Sequence, residues 1–505
     1  MEDAMSGPNI LLLMGDQHPY SMLGCYGDGT VKTPALDQLA EGGVVFDAAY
    51  CPSPLCAPSR AAMMTGRHVH EIEVWDNASP LRADWPTFVH SFRAAGYRTI
   101  LSGKMHYVGP DQLHGFEERW TQEIYPTTFD WTYPSRKGVF INPPGKGQAV
   151  HRVSESGIGW TWDMDYDEEV TFRTLYGLRT VKRDSGDRPF LLCVSFTGPH
   201  YPYFAPQEYW DLYRDEDIEI PAEGPAATIA NDPQHVRWFR QYAHLQDPVT
   251  DEVCRRARHA MLGRISMIDR YCDRILSALR DSGLENETIV LYTSDHGDMM
   301  GEHGLWFKGT AYEASARVPL IIKGPDLPAS RVAEAVSLLD LGTTLCGLCG
   351  IDPVYPESDG RDLSGGLKNG SFREGGEAIV EFYGDGTWRG WRMIRSGDWK
   401  LIHVPDTEEV LYNLKQDPGE WHNLADDPGH REVRDALRAK LKQGWDPDLC
   451  DERRWRSQER RMAILAALGP GEPRAWQQPS APVPHPNPAY RTDGKEPFQF
   501  AFTSR

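Results

Sequence analysis

The segment Cys56-Ala57-Pro58-Ser59-Arg60 opens an apolar helical pattern with a thiol, a proline and a guanidinium. A buried or helix-capping cysteine is one reading. A thiolate nucleophile is another, its pKa lowered by a helix N-terminus and by Arg60. Pro58 suits the first helical turn, where its missing N–H costs nothing. Neither reading explains why proline, serine and arginine follow in this order.

Two further clusters are of the kind that holds a metal. Asp16-Gln17 and Asp295-His296 offer two carboxylates, an amide oxygen and an imidazole. Each pair alone reads as capping or turn residues. Brought together, they suit one divalent cation. Basic residues stand in comparable places: Lys104 and His106 in "SGKMHYVG", His200 in "TGPH" and Lys308 in "LWFKGT". A lone loop lysine is a solvated lysine, and a lone histidine at a strand end is structural. With Arg60 at one edge, these four form a ring of donors of the kind that stabilises an anion and its leaving oxygen.

These clusters need elements that converge. Several apolar runs end in polar residues: "NILLLMGDQ" (9–17), "RTILSGKMH" (98–106), "PFLLCVSFTGPH" (189–200) and "TIVLYTSDHGD" (288–298). Helical patterns alternate with them, among them "TPALDQLAEGG", "WPTFVHSFRAAG" and the long "DEVCRRARHAMLGRISMIDRYCDRILSALRDSG". This alternation predicts an α/β fold, a mostly parallel central sheet flanked by helices. In such sheets ligands bind outside the carboxyl ends of the strands, where every one of these clusters falls. Around residue 375 the pattern changes. "EAIVEFYG", "WRGWRMIRSG", "WKLIHV" and "EVLYNL" read as a small antiparallel sheet, with "EVRDALRAKLKQGW" as a helix on it. The expected division is 1–375 for the catalytic α/β domain and 376–445 for a small C-terminal α+β subdomain. Residues 446–505 are expected to form an irregular, proline-rich tail that wraps the domain or reaches a second subunit.

The bulk properties narrow the function. At 505 residues the chain exceeds one simple core. Its net charge of −20 argues against nucleic acid and anionic membranes as partners. The longest early apolar run, Ile10 to Met14, is too short for a membrane span or a signal-peptide core, so the expected location is cytoplasmic. Nine scattered cysteines imply no disulfide framework. Cys346 and Cys349 lie in an amphipathic helical pattern and read as two packed helical cysteines.

Cys-x-Pro-Ser-Arg is the signature of the type I sulfatases, and Cys56 to Arg60 match it in full; the chain resembles that family to about residue 430. The resemblance implies an alkaline-phosphatase-like fold and a Cys56 converted to Cα-formylglycine by a maturation enzyme. The hydrated aldehyde would attack sulfur with one hydroxyl and release sulfate through the other. The family pattern puts metal ligands at Asp16, Gln17, Asp295, His296 and Cys56. Calcium is the expected ion, with manganese as the alternative that His296 favours. It gives Lys104 and Lys308 the sulfate oxygens, His200 with Lys308 the leaving oxygen, and His106 with Arg60 the formylglycine. It also implies a homo-oligomer, a dimer or tetramer.

Within the family, "SPLCAPSRAAMMTG", "DNAS", "LSGKMHYVGPDQLHGFEERW", "IYPTTFDW" and "PQEYWDLY" are similar to choline sulfatases. A choline leaving group would want an aromatic cage with an acid nearby. Trp75, Trp131, Tyr201 and Asp130 are candidates, with Asn77 as a further substrate contact. "GPHYPY" and the tail "PRAWQQPSAPVPHP" depart from that subfamily's pattern, so the leaving group stays open. The expected function is hydrolysis of a small sulfate monoester to alcohol and sulfate. One rival is a phosphonate monoester or phosphate diester hydrolase working through the same modified cysteine. The other is a non-catalytic metal-binding protein with Cys56 unmodified.

Overall fold

The apolar run Ile10 to Met14 forms the middle of strand β1 (Asn9–Asp16), in which every residue is buried. A strand without polar alternation must be covered on both faces, as in an α/β sheet. The computed structural model describes residues 7–132, 147–186, 188–221, 232–247, 249–372 and 375–468. After β1 come α1 (Pro34–Glu41), β2 (Val44–Tyr50), α2 (Cys56–Thr65), α3 (Phe88–Ala94), β3 (Arg98–Gly103) and β4 (Glu118–Arg119). Then follow α4 (Trp162–Ser185), β5 (Phe190–Pro199), α5 (Asp251–Asp281), β6 (Thr288–Ser294), β7 (Leu320–Lys323), β8 (Ser330–Ser337) and α6 (Asp340–Cys349).

The main sheet runs β8-β2-β7-β6-β1-β5-β3-β4, with the short strand Arg317–Val318 added beside β2. β1 is parallel to both neighbours, β5 and β6, and β3 is parallel to β5. β7 is antiparallel to β2 and to β6. The sheet is thus mostly parallel, as the strand-helix alternation predicts. Alternate residues of β1 point to opposite faces. Leu11 and Leu13 pack with residues of α1, α4 and α5, while Leu12 and Met14 pack with residues of α2, α3 and α6. Cys346 is buried on α6 and Cys349 half-buried, both as free thiols.

The smaller sheet is antiparallel in the order β9 (Glu377–Phe382), β10 (Trp391–Ser396), β11 (Trp399–His403) and β12 (Val410–Asn413). Helix α7 (Arg431–Lys442) sets Leu437 and Leu441 against Ile394, Leu401 and Leu411. A buried charge cluster joins this sheet to the segment preceding β7. Lys400 Nζ lies 3.0 Å from Glu313 and 2.7 Å from Glu420.

One expectation needs correction. The chain does not turn irregular at 446, because residues Pro447–Leu468 form a helix, α8. Asp446 caps it, accepting from the Leu449 N–H at 3.0 Å, and Pro447 occupies the first turn, where proline is tolerated. Its buried positions are Cys450, Asp451, Arg454, Ser457, Gln458 and Arg461. They recur at helical spacing, but all except Cys450 are polar or charged, so no apolar stripe announces the helix. The proline-rich stretch 469–505 lies outside the described residues.

Candidate active site

Helix α2 begins at Cys56, after an extended Leu55. The Ala57 N–H, one of the donors a helix start leaves free, goes to Asn77 Oδ1 at 3.0 Å. Ser59 Oγ donates to the backbone carbonyl of Asp295 at 2.6 Å, tying the helix to the end of β6. Arg60, one turn on, reaches both carboxylates of the site. Its Nη2 lies 3.0 Å from Asp16 Oδ2 and its Nε 2.8 Å from Asp295 Oδ2. Nη1 donates to Ser195 Oγ at 2.8 Å and to the Lys104 carbonyl at 2.9 Å. The order of the motif thus has a structural account: cysteine toward the site, serine to the sheet, arginine to its acids.

Asp16, Cys56, Asp295 and His296 are fully buried, and their ligand atoms all lie within 4.8 Å of one another. His296 Nδ1–H donates to the Gly297 carbonyl at 3.0 Å, which leaves the Nε2 lone pair facing Cys56 Sγ at 3.2 Å. Burial lowers the His296 pKa to about 4, so the ring is neutral, as a ligand must be. Burial opposes ionisation of Asp16, yet Lys104, His200, Arg60 and Lys308 outweigh it and hold the carboxyl well below the usual range. Lys104 and Arg60 both sit on Asp16 Oδ2, while Oδ1 turns to Cys56 Sγ at 3.8 Å. Two carboxylates, a neutral imidazole and a side chain at position 56 form a donor set suited to a divalent cation. Gln17 meets this cluster through its backbone, whose N–H donates to Asp295 Oδ1 at 3.1 Å. Its amide oxygen accepts from Lys308 Nζ.

Burial pushes the Cys56 thiol up, and Asp16 adds to it, against Lys104 and Lys308. That is not the setting of a low-pKa thiolate.

Lys308 also donates to His200 Nε2 at 2.8 Å. His200 Nδ1–H is given to the Tyr201 carbonyl at 2.5 Å, so Nε2 is the acceptor. Burial and Lys308 hold the His200 pKa well below its ordinary value. Lys104 follows Gly103, whose φ of 114° and close approach to the Ser195 carbonyl exclude any side chain. That turn takes Lys104 off the end of β3 and into the site. Glu123 then accepts from the backbone N–H groups of Met105 and His106, at 3.0 and 2.8 Å. Both ring nitrogens of His106 are buried without a hydrogen-bond partner among the described residues. Burial, Lys104 and Arg60 keep this ring neutral.

The aromatic candidates separate. Tyr201 stacks on His200 at 4.2 Å, with Lys308 Nζ 5.4 Å from its ring centre. Trp131 meets His106 edge-on at 5.5 Å. Trp75 is instead a core residue, fully buried against Tyr383 at 4.9 Å. Asn77 caps α2, and Asp130 is exposed, accepting from Thr128 at 2.5 Å. Four contributors escaped the sequence reading: Ser195, Glu123, Asp298 and Tyr125. Tyr125 lies under Lys104 Nζ at 4.2 Å and against His106 at 5.0 Å. Only its neighbourhood to Trp131 in "IYPTTFDW" pointed to it.

Comparison with known proteins agrees with this geometry. Residues 8–351 match the Sulfatase family, and residues 301–446 match the family described as N-sulphoglucosamine sulphohydrolase, C-terminal. The chain is 37% identical over 486 residues to a choline-sulfatase of Rhizobium meliloti, covering 93% of each chain. It is 30% identical to arylsulfatase K of Bos taurus, covering 86% of this chain and 81% of that one. Among solved structures, phosphonate monoester hydrolase of Agrobacterium radiobacter superposes with a TM-score of 0.70 at 25% identity, covering 86% of this chain and 94% of that one. The Cys56 motif at its helix start, the buried acid–imidazole cluster beside it and the match across 8–351 lead to one conclusion: the chain belongs to the sulfatase family.

Proposed function

We propose that this sulfuric ester hydrolase acts on a small sulfate monoester at position 56, with Cys56 matured to formylglycine and one divalent cation beside it. The observation that carries this reading is the position of Cys56. It sits at the first turn of α2, facing His296 Nε2 and Asp16, where the charges of Lys104, Lys308 and Arg60 converge. In this reading the hydrated aldehyde supplies the attacking oxygen, and the cation, calcium or manganese, supplies Lewis acidity. The chain's own residues do the rest. Asp16, Gln17, Asp295 and His296 hold the cation. Lys104 and Lys308 take the sulfate oxygens, and Arg60 keeps the two carboxylates apart and oriented. His200 accepts from Lys308, which makes this pair the source of the proton for the leaving alcohol. His106, a neutral imidazole whose ring nitrogens have no hydrogen-bond partner among the described residues, stays available to the formylglycine.

Choline is the leaving group to test first, because the Rhizobium meliloti relative bears that name and Trp131 and Tyr201 stand at the site. The same reading takes a maturation enzyme as partner, a cytoplasmic place of action, and a dimer or tetramer. Among the described residues no helix is long and apolar enough to cross a membrane. A second reading, phosphonate monoester hydrolysis, is favoured by the superposition on the Agrobacterium radiobacter enzyme.

The experiment compares specificity constants on para-nitrophenyl sulfate and para-nitrophenyl phenylphosphonate, with Cys56→Ala as blank, alongside peptide mass spectrometry of position 56. Preference for sulfate with an aldehyde at 56 is expected. Preference for phosphonate moves the chain to the second reading, and a fully active protein with an unmodified thiol ends the formylglycine reading.

A further inference from the structure

Gln17 stands between a group that can only donate and a group held as an acceptor. Its Oε1 accepts from the Lys308 ammonium, and its Nε2 donates to Asp298 Oδ2 at 2.5 Å. Asp298 is 1% exposed and gathers donors from three other directions. Its Oδ1 accepts the N–H groups of Met300 and Phe307, each at 3.0 Å, and its Oδ2 accepts the Tyr203 hydroxyl at 2.9 Å. An ammonium has no acceptor to offer, and this carboxylate has its oxygens filled by donors. The amide therefore has one satisfied orientation, oxygen toward Lys308 and NH2 toward Asp298. The backbone of Gln17 is held as well, at a φ of 60° and with its N–H on Asp295. Among the described residues, no member of the acid–imidazole cluster bonds to Asp298, although it follows Asp295 and His296 closely in the chain.

We propose that Asp298 is a positioning residue of the cation site, fixing the Gln17 amide so that its oxygen, not its NH2, is presented to Lys308 and to a cation held by Asp16, Asp295 and His296. This rests on the cation reading given above. Positions 17 and 298 then work as a pair, one amide and one carboxylate. Glutamate at 17 is the same shape as glutamine but sets a second carboxylate against Asp298. Asparagine at 298 must turn its NH2 toward either the two backbone N–H groups or Gln17, and in the second case the Gln17 amide flips. Exchanging both at once restores the pairing of 17 with 298, because the asparagine NH2 donates to the glutamate while the glutamate's other oxygen accepts from Lys308, and the Tyr203 hydroxyl turns from donor to acceptor of the same NH2.

The test is a double-mutant cycle of Gln17→Glu, Asp298→Asn and the combined variant. It reads two quantities besides turnover: thermal unfolding of the chelated protein, and calorimetric titration with calcium and, separately, manganese. Each single variant is expected to unfold earlier when chelated. Asp298→Asn, which lets the Gln17 amide turn its NH2 toward the cation, is expected to bind it about tenfold more weakly or worse, whereas Gln17→Glu sets a carboxylate toward the cation and is expected to regain unfolding temperature when the cation binds. The combined variant is expected to recover most of both losses. Losses that simply add overturn the pair. Recovery of unfolding temperature with cation affinity unchanged in Asp298→Asn also overturns the positioning role, leaving a structural contact only. A wild-type protein that binds neither cation defeats the cation reading and this role with it, while the unfolding cycle separately shows whether the pair exists. Should Asp298→Asn give no folded protein, a folded combined variant supports the pair and an unfolded one overturns it.

Discussion

Arg60 bridges Asp16 and Asp295, 3.0 Å from the first and 2.8 Å from the second, with all three side chains fully buried. Two buried carboxylates this close to one imidazole need a counter-charge, and the guanidinium is a permanent one. The sequence motif suggested that Arg60 serves position 56; the geometry has it brace the acids beside that position. Arg60→Gln is expected to destabilise the chelated protein by about 3–5 kcal/mol, the usual cost of breaking a buried ion pair from one side. Added calcium or manganese should restore part of that loss, since a cation replaces the missing charge. Thermal unfolding with and without each ion checks this, and an unfolding temperature indifferent to cations in the variant would contradict it.

Cys56→Ala is expected to lower turnover by roughly three orders of magnitude or more while leaving the fold intact. Cys56 is 1% exposed at the first helical turn, and alanine fits there without strain. Circular dichroism and turnover of the same sample decide it. Near-normal turnover sinks the assignment of position 56 as nucleophile.

The Lys308–His200 pair makes a prediction about leaving groups. His200→Asn should cost about 10²–10⁴ in turnover with a poor alcohol leaving group, the range for impaired general acid catalysis, because it removes the acceptor that aims the Lys308 proton. It should cost far less with para-nitrophenol, which leaves without protonation. Equal losses on both substrates would reassign His200 to binding.

Chelation followed by separate additions of calcium and manganese should restore activity to different extents, because His296 places a nitrogen among oxygen ligands. His296→Asn should shift the preference toward calcium. Equal recovery with both ions in wild type and variant would remove the argument from the imidazole.

Acid stability has its own marker away from the site. His235 is buried between Tyr312 and Trp391, and burial, with Lys400 and Arg237, lowers its pKa to about 3. The unfolded chain takes up that proton near pH 6.5, while the folded protein refuses it until about pH 3. The unfolded state therefore binds more protons across this window, and stability falls as pH drops through it. His235→Gln should flatten that fall, as read from urea midpoints between neutral pH and pH 4. An unchanged slope would place the acid sensitivity elsewhere.

What the sequence by itself determined was local. The Cys56 motif, the acids at the ends of β1 and β6, and the basic residues after β3 and β5 could be read because each lies within a few residues of an apolar run. Strand ends in a parallel sheet must share an edge, and that rule placed them together before any contact was visible. Tertiary structure decided what depends on groups far apart in the chain. Asp298 holds Gln17 across 281 positions, and no spacing rule reports such a contact. Trp75 reads as a cage residue by type, yet packing sends it into the core. Helix α8 stayed hidden because its inner face is polar. Arg461 meets Asp76 through two 2.7 Å contacts, and Arg454 donates to the carbonyls of Tyr383 and Trp388. Apolar periodicity reports burial in a core; it is silent where burial is carried by charge pairs and hydrogen bonds, whose partners only the folded chain supplies.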